Sequence, residues 1–421
     1  MNPWLKGYIT DGNVRNLDGG IRIWNAKNVV VERCYIHDTL GSTNPWTFGD
    51  TTTFDDYYIR SHPAGPCAML LGGSQGLVIR YNDMSGSDQH RFNDVMECEI
   101  NGGNYAGPGF DSDIYGNMWY CNEDDSLEID SSGRNVRVYE NRSEQSLCGV
   151  STAPTNVGPL YIYRNLFTNR GNSQNDNTNP SIKIDGGEGM QFILNNTMST
   201  AIRSSGLFLH GFARNNITTQ SRNGGGGEAE IADYDIVTGQ DKKPSESYEP
   251  HGFFTQPEYQ AAEIGDYRLA NGSVGIDQGE HLNNFSDVAV GKTDIGAFEK
   301  GGRYNFFPYR PINGSADKYF ASFKNKGETT VTFKLGEIEE GLTYRIHTNL
   351  QNEFLQIEGV DCDLTGTAES GKSYTVKIKG DLTNHYIWLN NKKIYLNEGN
   401  GMLYFRFSNG LSIPVTVYVE K

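Results

Sequence analysis

The chain has 421 residues, a net charge of −16 and no apolar run approaching the roughly 18 residues of a membrane-spanning helix. It is too long for one small compact domain, and its acidity disfavours nucleic acid and anionic membranes, both of which require Lys and Arg at the contact. The easier ligand is a neutral or weakly charged glycan, an acidic one needing a cation or a basic patch, and 24 Tyr, 20 Phe and 5 Trp offer flat faces for sugar rings.

The first twenty residues, "MNPWLKGYITDGNVRNLDGG", lead into coil sequence with no capping helix or strand. Either the first rung is exposed or a further part precedes it. "GGIRIWN" then opens a series in which a short apolar or aromatic stretch closes on an asparagine: Asn82 of "VIRYN", Asn117 of "DIYGN", Asn141 of "RVYEN", Asn165 of "YIYRN", Asn196 of "FILNN" and Asn216 of "ARNN". The steps of 35, 24, 24, 31 and 20 residues are too irregular for a helical repeat. They suit a parallel β-helix, whose core is constant while its loops vary. Each asparagine is expected to sit in the left-handed region of a sharp turn and to bond the rungs above and below.

A second, alternating strand follows in each coil: "GGIRIWN", "VMECEING", "DSLEID", "PSIKID" and "GLFLHG". With Ile21 and Ile23, Cys98 and Ile100, Leu127 and Ile129, Ile182 and Ile184, and Leu207 and Leu209 inward, the outward file reads Arg22 and Trp24, Glu99 and Asn101, Glu128 and Asp130, Lys183 and Asp185, and Phe208 and His210. Five of the six cysteines fall about once per coil, with Cys34 in the place of a turn asparagine, and none shows metal-ligand spacing. They read as stacked inward thiols, with a Cys67 to Cys98 bridge as the alternative.

The coil pattern fades after about residue 220 into the Gly-rich "SRNGGGGEAE". The order "HGFFTQPEY", "GDYRLANGSVGIDQG", "DIGAFE" resembles the closing section of bacterial right-handed parallel β-helix repeat proteins, relatives of the pectate lyase and polygalacturonase superfamily. "FDSDIYGNMWYCNEDDSLEIDSSGRNVRVYENR" and "GPLYIYRN" resemble their central coils, so that the likeness covers roughly residues 8 to 300. It implies that fold, a polysaccharide-degrading enzyme, and a secreted, periplasmic or cell-surface location in a bacterium. The expected organisation is all-β: a right-handed parallel β-helix over residues 1–302, a linker over 303–318, and a β-sandwich over 319–421. Strands such as "TTVTFKL", "SYTVKIKG" and "IPVTVYVEK" indicate that the sandwich is antiparallel. It carries no chemical constellation and reads as an accessory module.

The chemistry belongs around "NEDDSLEID". Hydrolysis of a glycosidic bond needs one carboxylic acid and one carboxylate. Glu128 and Asp130 lie two apart on one strand, Glu99 is expected one rung below Glu128, and Asp124 and Asp125 lead into the strand. Like charges this close cannot all ionise freely, so one should keep its proton and act as the acid. Asp111 and Asp113 read as turn residues or partners of Arg134 or Arg137. The "NTD", "GHG" and "RIK" elements of polygalacturonases are absent, so that family's roles do not transfer residue by residue.

The leading expectation is therefore a glycoside hydrolase without metal, with Glu128, Asp130, Asp125, Asp124 and Glu99 catalytic and Lys183, Asp185, His210, Arg22 and Trp24 contacting the glycan. The first alternative is a lyase for a uronic-acid glycan, with Lys183 as base and Ca²⁺ held by Glu99, Glu128, Asp130 and Asp124. The second is a glycan-binding or surface protein without catalysis.

Overall fold

The computed structural model describes residues 19–302 except 38–42, 44–62, 64, 87–90, 99–106, 132, 169, 173–178, 185, 205–209, 221–229, 241–242, 244–245, 263–265 and 287–289. Beyond these it describes residues 320–420 except 325, 336–337, 339, 349–354, 382–385, 390–391, 396–397 and 409–411. The chain divides into two units, Met1–Gln260 with Tyr267–Phe307, and Ala261–Asp266 with Pro308–Lys421.

The first unit is a right-handed parallel β-helix of three sheets, the fold that the repeats and the resemblance imply. The first sheet stacks Gly19–Trp24, Cys67–Gly72, Met96–Cys98, Asp125–Glu128, Cys148–Thr152, Ile182–Ile184 and Ile202–Ser204. The second runs from Val30–Glu32 to Glu230–Asp233 and the third from Tyr35–His37 to Ile236–Val237, with eight strands each. Inward residues of all three sheets, among them Met69, Ile79, Trp119, Leu127, Val150, Phe167 and Ile182, form one continuous core.

The asparagines form an uninterrupted ladder between the second and third sheets. In each rung the backbone N–H and the Nδ2 of one asparagine both donate to the Oδ1 of the next, as from Asn117 to Asn141 at 3.0 Å, while Nδ2 also donates to a carbonyl, here that of Ile79 at 2.9 Å. The order is Asn82, Asn117, Asn141, Asn165, Asn196 and Asn216. Cys34 takes the first rung through its N–H to Asn82, and Asp235 takes the last as acceptor for Asn216. An aspartate has no amide to pass on, and burial, together with the neighbouring Glu249, raises its carboxyl well above the usual range.

One detail differs from expectation. The left-handed residue is the one before each ladder position: Arg33, Tyr81, Gly116, Glu140, Arg164, Asn195, Asn215 and Tyr234 all have positive φ. The turn is made one residue early, which leaves the asparagine free to point inward. Asn141→Ala removes the acceptor for two donors and both donations of its own amide, so a loss of about 3 kcal/mol is expected in urea unfolding. A change under about 0.5 kcal/mol, the size of an ordinary surface substitution, would refute the ladder's weight.

The "DIGAFE" segment closes the far end of the coil. Asp294 accepts the N–H groups of Asp277 and Lys300, Gly296 N–H donates to Asn215, and Ile295 packs on Ile217 and Ile236. Gly296 has φ of 104° and lies where a Cβ would collide with Ile217 and Thr197, so this residue must be glycine.

The six cysteines are free thiols, and no Cys67 to Cys98 bridge forms. They do not stack on one another: Cys67 is in register with Gly19, Cys98 with Leu71 and Cys148 with Asp125. The second unit holds a five-stranded and a three-stranded sheet, faced by Phe333, Tyr344, Tyr374 and Phe405. Its pairing is antiparallel except that Phe320–Lys324 runs parallel to Ser412–Glu420, closing the edge that the last strand would otherwise leave open. No helix among the described residues is long and apolar enough to cross a membrane.

Candidate functional site

Register decides which side chains meet on the outer face of the first sheet. Leu127 pairs with Met96, which sets Glu97 beside Glu128. The expectation that Glu99 occupies that place is thereby corrected, and Glu99 itself lies outside the described residues, as does Asp185. The outward row runs Arg22, Leu70, Glu97, Glu128, Ser151, Lys183. Two strands of this sheet, Cys67–Gly72 and Cys148–Thr152, do not alternate in hydrophobicity and escape a period-two reading.

His210 does not belong to this row. The strand that pairs with Ile182–Ile184 is Ile202–Ser204, whereas His210 is exposed at the entry to the second sheet, its carbonyl accepting the N–H of Gln191. Asp113 forms an ion pair with Arg137, and Asp111 accepts from Asn135 and Gln75 on the same outer surface of the second sheet, so both have structural partners.

The turn before the strand is held firmly. Asn122 Nδ2 donates to the carbonyl of Asp124 at 2.8 Å, and the N–H groups of Glu123 and Asp124 donate to the carbonyl of Asn93 one coil below. Buried Arg91 pairs with Glu123 at 3.4 Å and donates to the carbonyls of Asn122 and Gln145, tying three coils together. This frame brings Asp94 into contact with the doublet: Asp94 Oδ1 accepts the N–H of Asp125 at 2.6 Å.

The result is a dense group of carboxylates. Asp94, Asp124 and Asp125 form one triad and Asp94, Glu97 and Glu128 another, each with oxygens mutually within 4.8 Å. All five are at most 7% exposed. Burial, and then the charges of its neighbours, pushes the Asp94 carboxyl well above its ordinary range; burial and Asp94 do the same to Glu97. Asp130 stands beside the group, its Oδ1 accepting from Ser151 Oγ at 2.7 Å and Ala153 N–H at 2.6 Å. Burial and the Glu128 charge push it up to about 8.

Lys183 reaches over from two coils away to place Nζ 2.8 Å from Asp125 Oδ2, with 39% of its side chain still exposed. Burial disfavours its charge, but Asp125 and Asp124 more than compensate and hold the ammonium form well above the ordinary lysine range. Five carboxylates with one lysine at their edge are over-supplied with negative charge. Protons or a cation must balance them.

A divalent cation fits this donor set. Asp125 Oδ1 and Asn93 Oδ1 are buried with no hydrogen-bond partner, and both belong to or adjoin the triads, Asn93 through its Nδ2 to Glu97. Carboxylate and amide oxygens are the ligands that Ca²⁺ and Mg²⁺ prefer. The donor set is compatible with the Ca²⁺ that the lyase alternative calls for. The calcium ligands expected for the lyase alternative change: Asp94, Asp125 and Glu97 join Asp124 and Glu128, and Asp130 is in neither triad.

No protein-family model matches the chain, and no curated protein matches it. Among solved structures it is similar to pectate lyase Pel9A, at 13% identity and a TM-score of 0.34 over 69% of this chain and 90% of that one. It is also similar to the tailspike gp61 of Pseudomonas phage phi297, at 8% identity and a TM-score of 0.24 over 88% and 60%. A third is the tailspike gp49 of Acinetobacter baumannii bacteriophage Fri1, a capsular polysaccharide depolymerase, at 10% identity and a TM-score of 0.17 over 86% and 79%. Likeness of this depth leaves the chemistry to be argued from the chain's own residues.

The missed residues had a signal. "DVME" over 94–97 and "DSLE" over 125–128 are the same phrase one coil apart, and aligning them predicts both the register and the pairing of Glu97 with Glu128.

Proposed function

We propose that the protein is a polysaccharide lyase, cleaving a uronic-acid glycan by elimination at a site built from Asp94, Glu97, Asp124, Asp125, Glu128 and Lys183. The observation that carries this reading is the Lys183 amine, on a side chain 39% exposed, touching a carboxylate of a buried cluster whose oxygens could hold a cation. In such a reaction a base takes the C5 proton of the uronate, the freed electron pair forms the C4=C5 double bond, and the C4–O bond breaks with its pair on oxygen. A divalent cation, when bound, supplies the positive charge that neutralises the uronate carboxylate and offsets the carboxylates that keep Lys183 protonated. Lys183 is then the base, reached from solvent along its exposed side. Asp125 orients its amine, and the Arg91 staple and Asn122 keep the turn carrying Asp124 and Asp125 from moving.

A hydrolase is the second reading, favoured by one observation. Asp130 keeps its proton up to about pH 8 and could act as the acid, with Glu128 two residues before it activating water.

The two separate in one experiment. Wild-type protein is incubated with uronic and neutral polysaccharides, with calcium or with EDTA, following both reducing ends and the ultraviolet absorbance of unsaturated uronates. Absorbance that requires calcium supports the lyase. New reducing ends without it support the hydrolase, and retention of a glycan with neither product supports a binding protein.

A further inference from the structure

The outward row does not end at the carboxylates. Three strands below them lies Gly19–Trp24, which pairs with Cys67–Gly72, itself paired with Met96–Cys98 and then Asp125–Glu128. Three inter-strand steps place this rung about 14 Å from the Asp125–Glu128 strand along the helix axis. Here Trp24 is 41% exposed and Arg22 is exposed beside it, the guanidinium 5.5 Å from the indole centroid. The indole leans onto the next rung at Gly72, where its Cε3 and Cζ3 occupy the space that any Cβ would need. Leu70, outward in the same row, is buried against Gly19 and lies in register between Arg22 and Glu97. A large aromatic left open to solvent, seated on a glycine and flanked by a cation, has the components of a platform for an acidic sugar ring.

We propose that Trp24 and Arg22 form a distal subsite for a uronate residue of the glycan, and that the polymer lies along the helix axis from this rung to Lys183. The row then offers a cation on each side of the carboxylates, Arg22 below and Lys183 above, in a chain of net charge −16. The assignment of the ligand as a uronate rests on the lyase reading; the platform does not.

The test uses full-length protein with calcium, in a Lys183→Ala background so that the ligand survives, titrated calorimetrically with uronate oligosaccharides of increasing length. Affinity should rise with length and show a further gain of about tenfold once the chain spans from the cluster to Trp24. Trp24→Ala should abolish that last gain, and Arg22→Gln should reduce it for acidic but not for neutral oligosaccharides. Identical length dependence with and without Trp24 overturns the subsite, as does an equal loss for the shortest oligosaccharide. A Trp24-dependent gain confined to neutral oligosaccharides overturns the uronate assignment. Wild-type protein that cleaves uronate glycans while Trp24→Ala binds like its parent keeps the lyase and loses the subsite. A Trp24-dependent gain in a protein that cleaves nothing does the reverse.

Discussion

Lys183→Ala should lower kcat on a uronate polysaccharide by about a thousandfold, within the range that a positioned base contributes. Lys183→Arg is the informative companion. Arginine would keep a cation against Asp125 and so preserve the ion pair at the edge of the cluster, but its guanidinium cannot release its proton. If Lys183 only neutralises Asp125, the arginine variant should recover activity and stability together. If Lys183 is the base, the arginine variant should unfold like wild type and remain as inactive as the alanine variant. Recovery of activity by arginine would overturn the assignment.

The second large effect concerns the carboxylates and their cation. Folded Asp130 holds its proton up to about pH 8, whereas in the unfolded chain it releases it near its ordinary value of 3.8; Asp94 and Glu97 are displaced in the same direction. Between those limits the folded state binds more protons than the unfolded one, so cation-free protein must lose stability as pH rises from about 4 to about 8. A divalent cation bound at the triads replaces the protons of Asp94 and Glu97 and stabilises by about 2.7 kcal/mol at one hundred times its Kd. Protons compete for the same oxygens, so the gain is small near pH 4 and largest near pH 8. Calorimetric scans should show Tm falling with pH in EDTA, and a gap of several degrees between calcium and EDTA opening toward pH 8. Asp94→Asn, which alters the one residue common to both triads, should close most of that gap. Equal Tm values in calcium and EDTA at pH 8 would remove the cation site from the account.

Much of the site was legible in residue order, and the failures have definite causes. Alternation in "DSLEID" correctly turned Leu127 and Ile129 inward and Glu128 outward. Alternation alone could not say which neighbour Glu128 meets, because "VMECEING" offers both Glu97 and Glu99 with the same parity; the choice lies in the register, which the shared phrase of "DVME" and "DSLE" marks and parity does not. Asp94 lies in the turn before its strand, where no periodicity marks it. Asp125 falls on the inward parity but sits at the first residue of its strand, where its carboxylate can still meet Lys183. The file that placed His210 with Lys183 failed because the next strand of the first sheet after Asn196 begins at Ile202, earlier than the "GLFLHG" alternation suggests.

What the sequence determined by itself is the coil: repeating asparagines, inward apolar residues and the closing "DIGAFE" are local patterns, each enforced by hydrogen bonds or burial that recur in every turn of the same helix. What only the tertiary structure decided is the meeting of residues from different turns. Asp94, Asp125, Glu128 and Lys183 lie up to 89 positions apart, in one turn and two strands. Their contact depends on how loops of unequal length set the stagger between rungs, and a stagger is a property of pairing, which no single strand contains.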